Sequence, residues 1–154
     1  MYGSADQLLA LWEGYSGLNY VFILNIALAL GGRAVTLAPI WSGSSPEMVL
    51  VFYGIYFLVL MAVVGACTYP HNKKIGFGKG WPDGNAIVAS VLTALFSWLC
   101  CGIFGYVVMQ QIAANEMKKY GLRVGIGMKK SVVLARVEEI RAQEAAMQSP
   151  RFNA

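Results

Sequence analysis

The chain has 154 residues, of which 57% are hydrophobic and 13% are charged, and its formal net charge is +4. Soluble proteins are usually about 45–50% apolar and about 25% charged, and a domain this small cannot bury so much apolar surface in water. The composition therefore predicts an integral membrane protein, and the length excludes an additional large soluble domain.

The N-terminal residues predict a short helix over residues 4–13. Ser4 followed by Gln7 is a capping-box pattern, which marks the start of a helix. Ten residues are too few to span a bilayer, so we expect this helix to lie flat at the membrane interface. Gly14 and Gly17 are expected to end it.

The first apolar segment is ambiguous because Arg33 interrupts it. A helix over about residues 15–33 would place Arg33 at its end, whereas a helix that continues to Trp41 would hold this charge inside the membrane. An arginine near the centre of a membrane helix costs on the order of 2.5–3.5 kcal/mol on insertion scales. The shorter helix is therefore favoured, and Arg33 is a possible intramembrane charge.

The second apolar segment predicts a transmembrane helix over about residues 46–69. Ser45 is a suitable N-cap and Pro46 suits the first helical position. The run that follows is uncharged and long enough to cross a bilayer. Pro70 is expected to mark the exit, and residues 70–85 are expected to form a loop rich in glycine and lysine.

The third apolar segment predicts a crossing over about residues 86–112, which continues as a polar helix to a glycine stop at Gly121. Small residues recur along it at four-residue spacing and would let membrane helices approach closely. This predicted helix-packing face consists of Ala86, Ser90, Ala94, Cys101 and Gly105.

The three cysteines do not form a disulfide framework, because their number is odd and two of them are adjacent. Adjacent cysteines also lack the spacing of a redox or zinc pair. We interpret them mainly as small apolar residues. Cys100 and Cys101 are possible acylation sites if they lie near a headgroup boundary.

The segment over residues 113–154 predicts a basic, cytoplasmic helical tail. Its last helix, from about residue 132 to residue 147, is amphipathic, and its apolar face is expected to turn to lipid or to a partner. The helix start offers free backbone N–H groups to anions, of which lipid headgroups are the nearest. The possible headgroup contacts are Lys118, Lys119, Arg123, Lys129, Lys130 and Ser131.

These elements together predict an all-α, polytopic membrane protein with about three transmembrane helices and a membrane domain over residues 1–112. Three crossings place nine basic residues on the side of the tail. Only Lys73, Lys74 and Lys79 lie on the other side, with the N-terminus. The positive-inside rule then puts the C-terminus in the cytoplasm and the N-terminus outside, and we expect a bacterial cytoplasmic membrane.

No residue pattern predicts catalysis, a metal site or a cofactor. His71 is the only histidine and is expected to be a solvated loop residue. Nucleic-acid binding is not expected, because no base-reading side chains accompany the positive charge. The chain is predicted not to be an enzyme.

The sequence favours a small accessory, scaffold or assembly subunit of a membrane complex. Its expected partners are other membrane subunits or further copies of the chain, together with the bilayer and its anionic lipids. The alternative is a small self-assembling channel or membrane-permeabilising protein, in which copies of the chain line a pore.

Overall fold

The computed structural model describes residues 4–43, 45–98, 103–125 and 128–148, without the side chains of Arg33, Pro39, Ser97 and Trp98. Within these ranges the secondary structure is helical and contains no strand, which confirms the all-α prediction. The helices are α1 (Ala5–Trp41), α2 (Pro46–Lys79), α3 (Asp83–Trp98), α4 (Ile103–Lys119) and α5 (Lys130–Gln148).

The first helix, α1, is continuous, so the predicted separate interfacial helix over residues 4–13 is wrong. The helix starts where the capping-box pattern predicts. Ser4 Oγ accepts a hydrogen bond from the backbone N–H of Gln7 at 3.2 Å, and the Gln7 side chain accepts one from the backbone N–H of Ser4. Gly14 does not end the helix, because it makes a close contact with α2 instead. The helix passes Arg33 and ends at Trp41, so its extent matches the longer of the two alternatives.

The second helix, α2, begins as predicted but continues well past Pro70. Ser45 accepts from the backbone N–H of Met48, and α2 ends where Gly80 adopts a left-handed φ of 75°. Proline is tolerated inside membrane helices because neighbouring groups satisfy the backbone that it frees. The predicted exit at Pro70 and most of the predicted loop over residues 70–85 are therefore wrong.

The first two helices are both long and apolar enough to cross a membrane. They pack against each other as an antiparallel pair, the α1–α2 hairpin, with the N-terminal end of α1 beside the C-terminal end of α2. Only 24% of the most apolar stretch of α1 and 11% of that of α2 are buried. The core helices of soluble proteins are mostly buried, so these two helices differ from them.

The predicted third crossing over residues 86–112 is not one helix. It is replaced by the shorter helices α3 and α4, which pack against each other as an antiparallel pair, the α3–α4 hairpin. A Cβ on Gly105 would lie 2.9 Å from the Cα of Thr93, whereas a continuous helix would separate these residues by about 18 Å. Each helix is also shorter than the ~20 residues that a crossing needs.

The α3–α4 hairpin covers only half of the α1–α2 hairpin. Ala94 near the end of α3 is level with Gly65 of α2, and Tyr106 near the start of α4 packs on Phe22 of α1 at 5.3 Å between ring centroids. Residues 24–41 and 46–59 form the uncovered part, which we call the distal half. The opposite end, where α1 and α3 begin and α2 and α4 end, is the basal end.

The final helix, α5, packs on the basal end and brings the two termini together. Arg141 pairs with Asp6 at 2.9 Å, and the backbone N–H of Ala5 donates to Glu144 at 3.3 Å. A bilayer with a hydrocarbon core about 30 Å thick cannot lie between groups in direct contact. The prediction that the N-terminus and the tail lie on opposite sides of the membrane is therefore wrong.

The apolar face of α5 belongs to the core of the chain. Val133, Val137 and Ile140 are buried in one cluster with Leu8 and Leu11 of α1. The expectation that this face turns to lipid or to a partner is therefore wrong, because α1 already covers it.

Candidate functional site

The first three members of the predicted helix-packing face lie between α3 and α2. Ala86, Ser90 and Ala94 are all buried. A Cβ on Gly76 would lie 3.9 Å from the Cβ of Ala86, and one on Gly65 would lie 3.6 Å from the Cβ of Ala94. Small residues on both helices thus permit the close approach that membrane helices use for packing. The helix that covers this face, α2, therefore belongs to the same chain and not to a partner.

The other two members are separated from these three. Gly105 belongs to α4 and packs against Thr93 of α3. Cys101, and with it the possible acylation site at Cys100, lies outside the described residues. The structure therefore divides the predicted face between two contacts, α3 on α2 and α4 on α3.

Some of the polar side chains buried between the helices are hydrogen-bonded within the chain, whereas the Tyr106 hydroxyl and Asn72 Oδ1 are buried without a partner among the described groups. Asn72 donates through Nδ2 to Ser90 Oγ at 3.0 Å, which joins α2 to α3. Ser90 Oγ donates in turn to the carbonyl of Ala86, and Thr68 Oγ1 donates to the carbonyl of Val64, both at 2.8 Å. The Asn72–Ser90 bond holds α2 and α3 together, whereas the other two bonds are internal to their own helices.

The closest contact in the bundle, between α1 and α2, is not foreseen by the sequence. A Cβ on Gly14 would lie 2.8 Å from the carbonyl oxygen of His71, and one on Gly78 would lie 2.8 Å from that of Gln7. Gly17 is equally close, since a side chain there would overlap the imidazole of His71. These glycines were interpreted as helix stops and loop residues, although their spacing also fits a packing face.

His71 is not a solvated loop residue. It lies within α2, half-buried against Gly17, and its Nδ1 is buried without a hydrogen-bond partner among the described groups. The missing side chain at Gly17 provides the space for the imidazole. The prediction is wrong because it ends the helix at Pro70, whereas α2 continues past this proline to Lys79.

The basal end carries most of the charged residues of the described chain, whereas Arg33 and Glu47 lie in the distal half. Lys74 pairs with Glu13 at 2.7 Å, which links α2 to α1 across the close glycine contact. The possible headgroup contacts are all exposed at this end: Lys118, Lys119, Arg123, Lys129, Lys130 and Ser131. Ser131 lies in the first turn of α5, which begins at Lys130, and not at the predicted cap position.

One polar contact joins α5 to the residue that follows α4. Arg136 Nε donates to the carbonyl of Tyr120 at 2.9 Å, and the Arg136 guanidinium pairs with Glu139 at 2.6 Å. Burial raises the pKa of Tyr120, and the carboxylates of Glu116 and Glu144 raise it further. α5 is thus docked by polar contacts as well as by its apolar face.

The remaining candidate, Arg33, has only its backbone in the described structure, as part of α1. Among the described residues, no three His, Cys, Asp or Glu side chains lie close enough to hold a metal ion. Comparison with known protein families, curated proteins and solved structures finds no match to this chain.

Proposed function

We propose that the chain is a non-enzymatic membrane protein that acts as an accessory, scaffold or assembly subunit. The α1–α2 hairpin spans the bilayer, and its distal half packs against other membrane chains. The observation that carries this proposal is the apolar surface left uncovered on the distal half. Large side chains there are widely exposed: Leu30 by 65%, Val35 by 62% and Leu50 by 77%.

The distribution of charge supports this placement in the membrane. Between Glu13 and Arg33, α1 has 19 uncharged residues, about 28 Å of helix, close to the ~30 Å of a hydrocarbon core. Arg33 then lies at the distal boundary of the bilayer and not at its centre. Glu13 and Arg33, which bound the uncharged stretch, thus lie in the two headgroup regions of the bilayer, where charge is tolerated.

The same distribution supports a cytoplasmic basal end. Lys73, Lys74 and Lys79 lie at the basal end beside the basic tail, so they no longer oppose the positive-inside rule. We infer that both termini face the cytoplasm and that the connection near Ser42 faces the other side. The short α3–α4 hairpin enters the membrane from the cytoplasmic side and returns to it.

Cysteine labelling tests this topology. In a protein whose native cysteines are replaced, Ser42→Cys should react with a membrane-impermeant maleimide added outside intact cells. Lys79→Cys and Lys118→Cys should react only after the membrane is opened. Labelling of Lys79→Cys in intact cells would contradict the two-crossing topology, since it would put the end of α2 outside.

The alternative function, a self-assembling channel, receives less support from the arrangement of polar groups. A pore formed by copies of the chain needs polar side chains on a shared outer surface. The buried polar groups Thr68, Asn72 and Ser90 face other helices of the same chain instead. Asn19 is exposed and Gln110 partly so, and Gln110 Nε2 donates to Asn19 Oδ1 at 2.6 Å, which joins α4 to α1.

The mass of the detergent-solubilised particle distinguishes the two functions. We expect the chain to purify in a mild detergent with one or more different membrane chains in fixed ratio. The triple variant Leu30→Ala, Val35→Ala and Leu50→Ala should release them, because it trims the surface proposed to hold them. A matched control, Val91→Ala with Val107→Ala, trims exposed residues of α3 and α4 and should retain them. A particle containing only copies of this chain would contradict the accessory role.

A further inference from the structure

A narrow groove runs between α3 and α4 on the outside of the bundle. Its volume is about 370 Å³, within the roughly 300–1,000 Å³ typical of ligand sites. Ala89, Thr93 and Gly105 line its centre, and their small size lets the two helices approach closely there. The aromatic pair Phe96 and Phe104, with ring centroids 6.3 Å apart, lines its deep end.

The groove is elongated, which suits an extended chain. It extends along α3 from Asn85 to Phe96, which is about 16 Å of helix axis. The walls are almost wholly apolar, so the occupant must be apolar along its length.

The basal mouth of the groove is polar and positively charged. Trp81 and Asn85 line it, and the Lys79 ammonium lies 4.6 Å from the centroid of the Trp81 ring. Further along the same end, Lys119 is paired with Glu116 at 2.7 Å, so this pair adds no net charge. Asp83 opens α3 close by, but Lys79 forms no ion pair with it or with any other described residue, so its ammonium is available beside the apolar slot.

We propose that the α3–α4 groove binds an anionic phospholipid. One acyl chain lies in the slot between Ala89 and Phe96, and the headgroup phosphate lies at the mouth beside Lys79 and Asn85. The proposal rests on the membrane placement proposed above, because only then does the groove open to lipid. A tryptophan at the headgroup level and a lysine above it are the usual anchors at a membrane interface.

The test uses tryptophan fluorescence and lipids with brominated acyl chains, which quench indoles in contact with them. In a protein whose other tryptophans are replaced by Phe, Trp81 should be quenched more by brominated phosphatidylglycerol than by brominated phosphatidylcholine in mixed vesicles. One lysine near an anionic headgroup predicts about a fivefold preference. Lys79→Gln should abolish this preference, whereas Lys73→Gln, which removes the same charge from an exposed position earlier on α2, should preserve it.

A second variant separates the groove from simple attraction to the membrane surface. Ala89→Leu fills the slot and should reduce the quenching of Trp81 by either lipid, whereas Val107→Leu on the exposed side of α4 should not. Equal quenching by the two lipids, or a preference that survives both Lys79→Gln and Ala89→Leu, would overturn the proposal.

The same brominated lipids distinguish failure of the lipid-site proposal from failure of the proposed function. A protein whose single tryptophan is introduced by Leu30→Trp, at an exposed position of α1 inside the proposed span, reports whether the hairpin lies in the bilayer at all. Quenching in this variant without any headgroup preference at Trp81 overturns the lipid site alone. Absence of quenching in this variant overturns the membrane placement as well.

Discussion

Cysteines placed at Asn85 and Ile112 are expected to cross-link efficiently within one chain through a short bifunctional thiol reagent. Both residues line the α3–α4 groove, one on each helix. In a continuous helix their separation would be 27 residues, or about 40 Å, far beyond the reach of such a reagent. The native cysteines are replaced first, and the product is detected after cleavage at a protease site inserted between the two helices.

The control uses a pair that is closer in sequence and more distant in space. Ile103 begins α4 at the deep end of the α3–α4 hairpin, about 15 Å from Asn85 along α3, since Gly105 is level with Thr93. Cysteines at Asn85 and Ile103 should therefore remain unlinked under the same conditions. If the Asn85–Ile112 pair fails to link in a protein that still inserts into membranes, the α3–α4 hairpin would be disproved in favour of one transmembrane helix over residues 86–112.

The helix boundaries that the sequence predicted correctly depend on residues within a few positions of one another. Ser4 with Gln7, and Ser45 with Pro46, set the starts of α1 and α2 through contacts inside the first turn. Gly121, with a φ of 81°, follows the end of α4 as expected. These signals are local, and the rest of the fold does not compete with them.

The boundaries that were wrong depend on contacts between helices distant in sequence. Gly14 and Gly17 look like breaks in isolation, because glycine is a poor helix former. In the bundle they are the positions where α2 needs the absence of a side chain, and the contact outweighs the propensity. Pro70 likewise looks like a break in isolation, but it lies on the exposed side of α2, and the helix continues past it.

Composition also could not separate one long helix from two short ones. Residues 86–112 are uncharged throughout, and both arrangements bury an apolar segment in the same medium. The small residues predicted to form a packing face include those that meet α2, and Gly105 permits the return of α4. The sequence thus marked positions of close contact without showing which helix would occupy them.

The candidate surfaces also divide into features that the sequence could predict and features that depend on how the helices pack. The basic residues of the tail could be assigned to one end of the molecule from the sequence, and they lie together there. The sequence could not show that Lys79 stands over Trp81 at the mouth of a groove, because this requires the packing of α3 on α4. It also could not show that Val137 is covered by α1, since an amphipathic pattern does not identify what covers it.

Gly14→Ala is expected to lower the free energy of unfolding by about 1–3 kcal/mol, the usual cost of overpacking a well-packed contact. The added methyl group would lie 2.8 Å from the carbonyl oxygen of His71 and 3.2 Å from the backbone nitrogen of Ile75. Because both atoms are backbone, α1 and α2 have to separate to relieve the overlap. Unfolding in mixed micelles with increasing sodium dodecyl sulfate measures the effect by the loss of helical circular dichroism.

The matched control is Gly31→Ala, in the same helix. A Cβ at Gly31 meets no atom within 4 Å, so the substitution adds no overlap. Alanine is the better helix former by roughly 0.5–1 kcal/mol, and Gly31→Ala should therefore raise stability slightly or leave it unchanged. The two variants make the same chemical change, and opposite signs would show that contact with α2, and not helix propensity, decides the outcome at Gly14. If Gly14→Ala unfolded at the same detergent fraction as Gly31→Ala, the close α1–α2 contact would be disproved.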